Sequence, residues 1–538
     1  MDDEAPLLPR AQDPKHLPRA VLITKPGSRI VLDRDYIAAT TALVIAAPNV
    51  TIDGRGHVIE FNTDGKAAMP GIVVYTGAWA EDDKILPPIK GRQADNVTIR
   101  NLVLRQVKKA PRSHGVRSFH ANNLKIENCT IMAGGEDAQA IFLRYGDVEL
   151  RRNVLLSEQD GASNRHSGPA NVTSPKVVAI GNVLVGGNSG FNVHEAGSRL
   201  IGNVISHLSI ATNGYGVWCY QPTSVEIRDN VMLPLDGRGV LLNGTNEEHP
   251  ANDNQIVGNV MLCWNRPNVE YGDSLNATGV RIRYAAHRNV VSSNTILAVG
   301  GGLYAGASGI YLTSQTPGAT STIVDNSVYA LLLGEPSRTQ FAKAITFEGH
   351  EQCDYAIDKN QLCSNHHIIS LSGYDTSGEQ RRPMVGNYLQ WVDGQNALAA
   401  FQEAVSAKCD EIHVADNPWS QWVVARALTA LRPLAEVPLQ STRKTFFSGY
   451  WKGNEFVSLR ASKGNAGVGL EDIEISASQY PGKRRIEIGE DAVEYWLGRD
   501  GDEGNAPYRK HLTANVPAKE LSAEYEHAPS VEIVGKNK

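Results

Sequence analysis

Short apolar runs that alternate with polar residues recur along most of the chain, each closed by Gly, Asn, Asp or Pro. Early examples are Ile30-Val31-Leu32, Ala42-Leu43-Val44-Ile45 and Asn49-Val50-Thr51-Ile52-Asp53-Gly54. Alternation over so few residues predicts strands, because successive side chains on a strand face opposite ways. From about residue 100 one asparagine recurs after such a run, at Asn101, Asn128, Asn153, Asn182, Asn203, Asn230, Asn259, Asn294 and Asn326. Its spacings are 27, 25, 29, 21, 27, 29, 35 and 32 residues. The strands keep their length while the spacings vary, so loops absorb the difference, as in a solenoid.

A second strand lies between successive asparagines. Its copies begin at Gly115, Ala140, Gly190, Gly216, Gly239, Gly279 and Gly309. Their second and fourth positions are mostly Val, Ile, Leu, Phe or Cys and are expected in a core. Their third and fifth positions are expected to face out: Arg117/Phe119, Phe142/Arg144, Asn192/His194, Trp218/Tyr220, Leu241/Asn243, Arg281/Arg283 and Tyr311/Thr313. Two strands per repeat without helical spacing exclude leucine-rich and ankyrin arrays. They predict a coil in which each strand pairs with its counterpart one turn on, about 4.8 Å away. Asparagine suits the bends because it tolerates left-handed backbone angles and its amide can bond the same Asn of the next turn.

The units "NVTIRNLVL", "NLKIENCTI" and "VEIRDNVML" resemble the right-handed parallel β-helix of the pectate-lyase-like superfamily, over roughly residues 20–375. The resemblance implies an all-β solenoid whose rigid wall suits an extended polysaccharide. The Asp-Pro-His-Asp string of mannuronan epimerases and the Gly-His-Gly signature of polygalacturonases are not found, and Asp-Asp pairs occur only at Asp2-Asp3 and Asp82-Asp83, off the outward row.

Beyond about residue 373 the repeat fades. Residues 396–407 and 417–431 have helical spacing, the second with Asn417 as N-cap and Pro418 at the first helical position. Short strands and charged loops follow. The expected organisation is an N-terminal arm over 1–19, a β-helix domain over 20–375, and a smaller mixed α/β region over 376–538.

A chain of 538 residues with a 41% apolar fraction can bury a large core, and 50 Gly against 10 Phe favour turns and short strands. A formal charge of −6 argues against nucleic acid as the main partner. No apolar run reaches the roughly 18 residues that span a bilayer. The acidic start Met1-Asp2-Asp3-Glu4 lacks the order of a signal peptide, so an extracellular or periplasmic location would need a leader missing from the given chain; a virion-associated location is the other expectation. Of the six cysteines, Cys353 and Cys363 are spaced for a disulfide, and the others read as single buried thiols. Strings such as Asn96-Val97-Thr98 and Asn171-Val172-Thr173 are by-products of the repeat rather than glycosylation sites.

The outward row mixes cations with aromatic rings. Arg can hold carboxylates or sulfates through two parallel hydrogen bonds, and aromatic faces can stack on sugar rings. Arg117, Arg144, Asn192, Trp218, Asn243, Arg281 and Tyr311 are therefore candidate substrate-binding residues for an acidic polysaccharide or oligosaccharide. Lys108, Lys109, Arg112 and His114 would extend the basic patch from a loop. For β-elimination, His194 is the candidate base, Tyr220 the acid and Arg144, Arg281 or Arg283 the carboxylate clamp, with Glu195 beside them and His166 an alternative base. Glu136, Asp137 and Asp160 supply oxygens that could bind Ca2+. Glycoside hydrolysis on the same wall, and a non-catalytic glycan-binding, phage-tail or adhesin module, are the alternatives. A monomer or a trimer is expected.

Overall fold

Each coil turn of the protein contains three strands, and parallel pairing carries each one onto its counterpart in the next turn. The computed structural model describes residues 5–74, 94–158, 170–173, 176–187, 189–194, 197–206, 214–233, 238–245, 248–265, 277–284, 286–301, 306–313, 319–334, 341–348, 354–372 and 387–440. Beyond these it describes the strands within 445–514. Two units emerge: Met1–Val240 with Ala407–Thr429, and Leu241–Ser406 with Ala430–Lys538. The coil in each is a right-handed parallel β-helix.

In the first unit the turn from residue 116 to 134 shows the plan. Val116–Phe119 belongs to one sheet, Leu124–Glu127 to a second, and Thr130–Gly134 to a third. The sequence pattern reads two strands per repeat; the third was hidden because a single bend residue splits one apolar run into two. Asn101 (φ 53°) separates Thr98–Arg100 from Val103–Gln106, and Arg152 (φ 52°) separates Val148–Arg151 from Val154–Glu158.

Register is strict across the first unit. Ile99, Ile126, Leu150, Ala179, Leu200 and Ile227 lie one above another, and all are fully buried. Val116, Ile141, Ala170, Phe191 and Val217 form a second inner column. Parallel strands give this result because a slip of one residue would turn every apolar side chain outward. Glycine precedes three residues of the second column, Val116, Phe191 and Val217, for a steric reason. A Cβ at Gly190 would lie 2.3 Å from Ile205 Cγ2 and 2.5 Å from the Gly216 carbonyl oxygen.

A buried ladder of amides runs along the first unit through Asn153, Asn182, Asn203 and Asn230, each with no exposed surface. Asn182 Oδ1 accepts the backbone N–H of Asn153 at 3.0 Å and its Nδ2 at 2.9 Å, while Asn153 Nδ2 also donates to the Ile126 carbonyl at 2.8 Å. Asn203 does the same for Asn182, and Asn230 for Asn203. The second unit repeats the device through Asn259, Asn294, Asn326, Asn360 and Asn387. A shorter ladder there joins Asn254 to Asn289.

Asn101 and Asn128 do not belong to this ladder. They hold the left-handed bend position one residue earlier, where Asn128 is exposed, and Leu102 and Cys129 fill the buried slots. From Asn153 onward the ladder residues are not among those at positive φ; the residue before them takes that angle, as at Arg152, Gly181, Gly202 and Asp229. Asparagine is thus required at the ladder for its amide, and at Asn101 and Asn128 for its backbone.

Two helices follow the coil, α1 (Gly394–Glu411) and α2 (Pro418–Ala430). Asn417 Oδ1 caps α2 by accepting the Trp419 N–H at 2.9 Å, with Pro418 at the first position. Within the first unit, Lys408 ion-pairs with Asp229 at 2.9 Å, and Ile412 packs beside Gly202. In the second unit, strands between 445 and 514 pair antiparallel. The expected Cys353–Cys363 bridge is corrected on one side: Cys363 is a free buried thiol with its Sγ 4.0 Å from Gln390 Oε1, and Cys353 lies outside the described residues. Among the described residues no helix is long and apolar enough to cross a membrane.

The ladder generates a prediction. Asn203→Leu fills the slot as Leu102 does, but strands the buried donors of Asn182 and the Ala179 carbonyl, and should cost about 3 kcal/mol. Asn128→Gly keeps the left-handed bend and should change stability by less than about 0.5 kcal/mol. Denaturant unfolding of the two variants compares them, and equal losses would show that the buried amides carry no special weight.

Candidate functional site

The outer face of the sheet that holds Val116–Phe119 carries the candidate residues. In the first unit, parallel register aligns Arg117, Phe142, Asn171, Asn192 and Trp218 in one column, and Phe119, Arg144, Thr173, His194 and Tyr220 in a second. Arg117, Phe119, Phe142, Arg144, Trp218 and Tyr220 are half-buried, while the residues between them in each strand are core. Strand alternation and parallel stacking thus build two rows with a side chain about every 4.8 Å.

Both arginines lie over aromatic rings. Arg117 Cζ is 5.0 Å from the centroid of Phe119, and Arg144 Cζ is 4.6 Å from that of Phe142. The two phenyl rings meet edge to face at 5.8 Å. A guanidinium against a ring face is attracted by the ring quadrupole and loses little further freedom when it grips an anion. Arg144 Nε is buried and finds no acceptor among the described residues.

His114 underlies this group. It is 4% exposed and stacks on Phe142 at 4.6 Å with 12° between the planes. Its Nδ1 accepts the Gln139 backbone N–H at 3.2 Å, which leaves the ring proton on Nε2 in the neutral form. Burial, and then Arg117, Arg144 and Arg112, push its pKa well below the ordinary 6.5. The expectation of His114 in a solvated basic loop is therefore corrected: it is a neutral, buried support for Phe142. The other loop residues, Lys108, Lys109 and Arg112, are exposed, with Lys109 3.4 Å from Glu158.

The remaining expected residues divide as follows. His194 ends the strand Ser189–His194, in register with Thr173 and Tyr220. Asn192 is 3% exposed, so the open position expected for it is corrected to a buried one, and Leu241 and Thr313, each 4% exposed, are likewise buried. Trp218 lies 5.8 Å from Tyr215 at a 40° tilt. Glu195, His166 and Asp160 lie outside the described residues. Glu136 is exposed and Asp137 half-buried; among the described residues no group of three or more His, Cys, Asp or Glu could hold a metal ion.

The second unit has its own group. Arg281 Cζ lies 5.1 Å from the centroid of Tyr311, with which it is in register. Arg283 Cζ is 4.3 Å from the ring of Tyr284, and its guanidinium donates to that phenol oxygen. Lys343 Nζ lies 4.4 Å over Phe341. Asn243 is half-buried, and its Oδ1 has no donor among the described residues.

Sequence reasoning missed the roles of Phe119, Phe142 and Tyr284 as platforms for guanidinium groups. It also set aside Asn171-Val172-Thr173, which is a strand of the same sheet one turn before Asn192-Val193-His194. The available signal was the shared polar–Val–polar alternation of those two strings.

Residues 122–332 match the family described as periplasmic copper-binding protein (NosD). Among curated proteins none matches the chain. Solved structures similar to it include the DFA-IIIase of Arthrobacter chlorophenolicus A6 in complex with GF2, at 14% identity over 58% of this chain and 82% of that one, with a TM-score of 0.37. A tailspike mutant of E. coli bacteriophage HK620 in complex with pentasaccharide is 10% identical over 93% of this chain and 82% of that one, with a TM-score of 0.34. The tailspike of Pseudomonas phage phi297 is 10% identical over 92% of this chain and 64% of that one, with a TM-score of 0.30.

The state of His114 makes stability depend on pH. Its folded pKa lies below the ordinary 6.5, so as pH falls through that value the unfolded chain takes up the proton first. The stability tied to the neutral ring is complete above that pH and is lost below it, by at most about 1.4 kcal/mol per pH unit for one proton. Urea midpoints between pH 7.5 and 5.5 should fall less steeply in His114→Phe than in the parent protein, although the variant starts lower for want of the Gln139 hydrogen bond. Parallel slopes would show that His114 takes up its proton over the same pH range in the folded and unfolded chains.

Proposed function

We propose that the outer wall of this right-handed parallel β-helix binds an extended acidic glycan and that the protein cleaves it by β-elimination, as the resemblance of its repeats to the pectate-lyase-like superfamily implies. The observation that carries this reading is the pair Arg117 and Arg144, on adjacent rungs, each held against an aromatic ring. A rung spacing of about 4.8 Å is close to the length of one sugar in a chain. Pre-stacked guanidinium groups on adjacent rungs, one in each column, suit carboxylates or sulfates, and half-buried Trp218 and Tyr220 offer ring faces further along the same rows. In the second unit, Arg281, Arg283 and Tyr311 are assigned the same kind of contact, with Asn243 as a polar neighbour.

In the proposed reaction an arginine neutralises the carboxylate, which acidifies the proton on the adjoining carbon. His194 removes that proton, the electron pair forms a carbon–carbon double bond, and the bond to the leaving oxygen breaks. Tyr220, one rung from His194 in register, gives its proton to that oxygen. Neutralising the carboxylate matters most, because the charge that builds there in the transition state is what a fixed cation stabilises. A polymer substrate places the activity outside the cytoplasm, in keeping with the periplasmic description of the matching family. The thiols of the matched stretch, Cys129, Cys219 and Cys263, are all buried, and burial pushes the pKa of the first two up to about 12.

Incubation with pectate, alginate and sulfated glycans tests the class. A lyase product gains ultraviolet absorbance from its new double bond, whereas a product with reducing ends alone would mean hydrolysis, and binding without turnover a non-catalytic module. His194→Ala should lower turnover by at least about 100-fold and Tyr220→Phe by a similar factor. Arg144→Ala should weaken binding, and more so at low salt. Cleavage that survives both catalytic substitutions would end this assignment.

A further inference from the structure

Two successive wall strands of the first unit end in left-handed bends that carry aromatic rings. Val116–Phe119 is followed by His120 at φ 57°, and Ile141–Arg144 by Tyr145 at φ 64°. Left-handed angles come readily to Gly and Asn, while a side chain as bulky as tyrosine strains the backbone there. Such an outlier points to a role for the side chain rather than for the bend.

The position of the ring fits that role. Strict alternation would turn Tyr145 inward, since Arg144 before it lies on the outer face and Leu143 is 1% exposed. Tyr145 is instead 37% exposed, the aromatic member of the five large apolar side chains exposed among the described residues. Its ring stacks on His120 at 4.7 Å with 18° between the planes, and the His120 backbone N–H donates to the Arg144 carbonyl at 2.7 Å. The ring thus meets solvent in one orientation, next in the chain to a guanidinium already held over Phe142.

The second unit closes the strand Ala277–Arg283 with the same pair of residue types, and Tyr284 there has φ 63°. Its ring is half-buried, and Arg283 lies over it and donates to its oxygen. In the first unit Arg144 lies over Phe142 instead, which leaves Tyr145 to His120 and the solvent.

We infer that Tyr145, backed by His120, is a subsite that stacks on the C–H face of a pyranose ring, beside the sugar whose anionic group Arg144 holds. The C–H bonds on that face are apolar and weakly positive, which matches the negative face of a phenol ring. Parallel register sets Arg144 against Thr173 and Thr173 against His194, so the subsite lies two rungs, about 10 Å, from the rung of the proposed base. At that distance Tyr145 is a binding residue and not a catalytic one. The inference rests on the reading of the wall as a glycan site and adds to it a contact that does not depend on charge.

The test is calorimetric binding of oligosaccharides of polygalacturonate and alginate and, as a neutral probe, of cellulose. Tyr145→Asn removes the ring and suits the left-handed angle. It should weaken binding of an acidic oligosaccharide about fivefold or more without lowering the thermal midpoint of the ligand-free protein. Tyr145→Gly, also at home at that angle, should behave alike, and Tyr145→Phe should bind within about twofold of the parent. The loss in Tyr145→Asn should be equal at low and high salt, whereas that in Arg144→Ala should shrink as salt is added. Undiminished affinity of Tyr145→Asn for every probe would overturn the inference and leave the acidic-glycan reading standing on Arg144. An equal loss in Tyr145→Phe would overturn it too, by assigning the contact to the phenol oxygen. If the cellulose oligosaccharide alone binds, and Tyr145→Asn weakens it, the stacking role stands and the acidic-glycan reading falls. Failure of all three probes to bind overturns both.

Discussion

The buried amide ladder is the constraint on which the rest of each coil depends. An asparagine oxygen that accepts both the backbone N–H and the side-chain N–H of the preceding rung can do so in one register only. A slip would leave several buried polar groups unpaired, at a cost comparable to the whole margin of a folded domain. The apolar columns, such as that from Ile99 to Ile227, favour the same register through burial, but apolar contacts alone tolerate small shifts. The amides supply the direction and distance that hydrophobic burial lacks.

Fixed register on the inside is what makes the outside chemically useful. Because each strand repeats its neighbour's position, a side chain chosen at one rung acquires a predictable neighbour on the next. Phe142 therefore stands beside Arg117 and Phe119 beside Arg144, while each guanidinium lies over the ring two residues away on its own strand, Arg117 over Phe119 and Arg144 over Phe142. Buried His114 adds a further layer beneath Phe142 and stays neutral, so the platform brings no extra positive charge next to the arginines. The glycan site proposed here thus draws its rigidity from the coil and its charge from a few residues on one face.

The amides of the ladder differ in their pairing from the asparagine on the outer face. Asn182 and Asn203 have donors and acceptors matched throughout, whereas Asn192, in the strand between them, has an oxygen left over. All three are buried asparagines followed by valine, and the pairing of their amide atoms distinguishes them.

Much of the fold could be read in advance, because strand alternation and the repeated Gly-Asn-Val string at 181–183 and 202–204 are local properties. The helix cap at Asn417-Pro418 is legible for the same reason: its hydrogen bonds join residues two or three apart. The third strand of each turn was not legible, since a left-handed residue such as Arg152 leaves no mark on the apolar pattern. Nor was the exchange of Asn101 and Asn128 for Leu102 and Cys129 in the ladder slot, because both positions carry residues at home in a bend or a core. For the wall, the sequence by itself determined which residues alternate away from the core. Only the tertiary structure decided that His114 is buried and neutral, that Arg144 rests on Phe142 and that Asn192 is covered. The first and last depend on neighbours 21 to 29 residues away, brought together by parallel stacking, and the second on an outward-facing pair two residues apart on one strand.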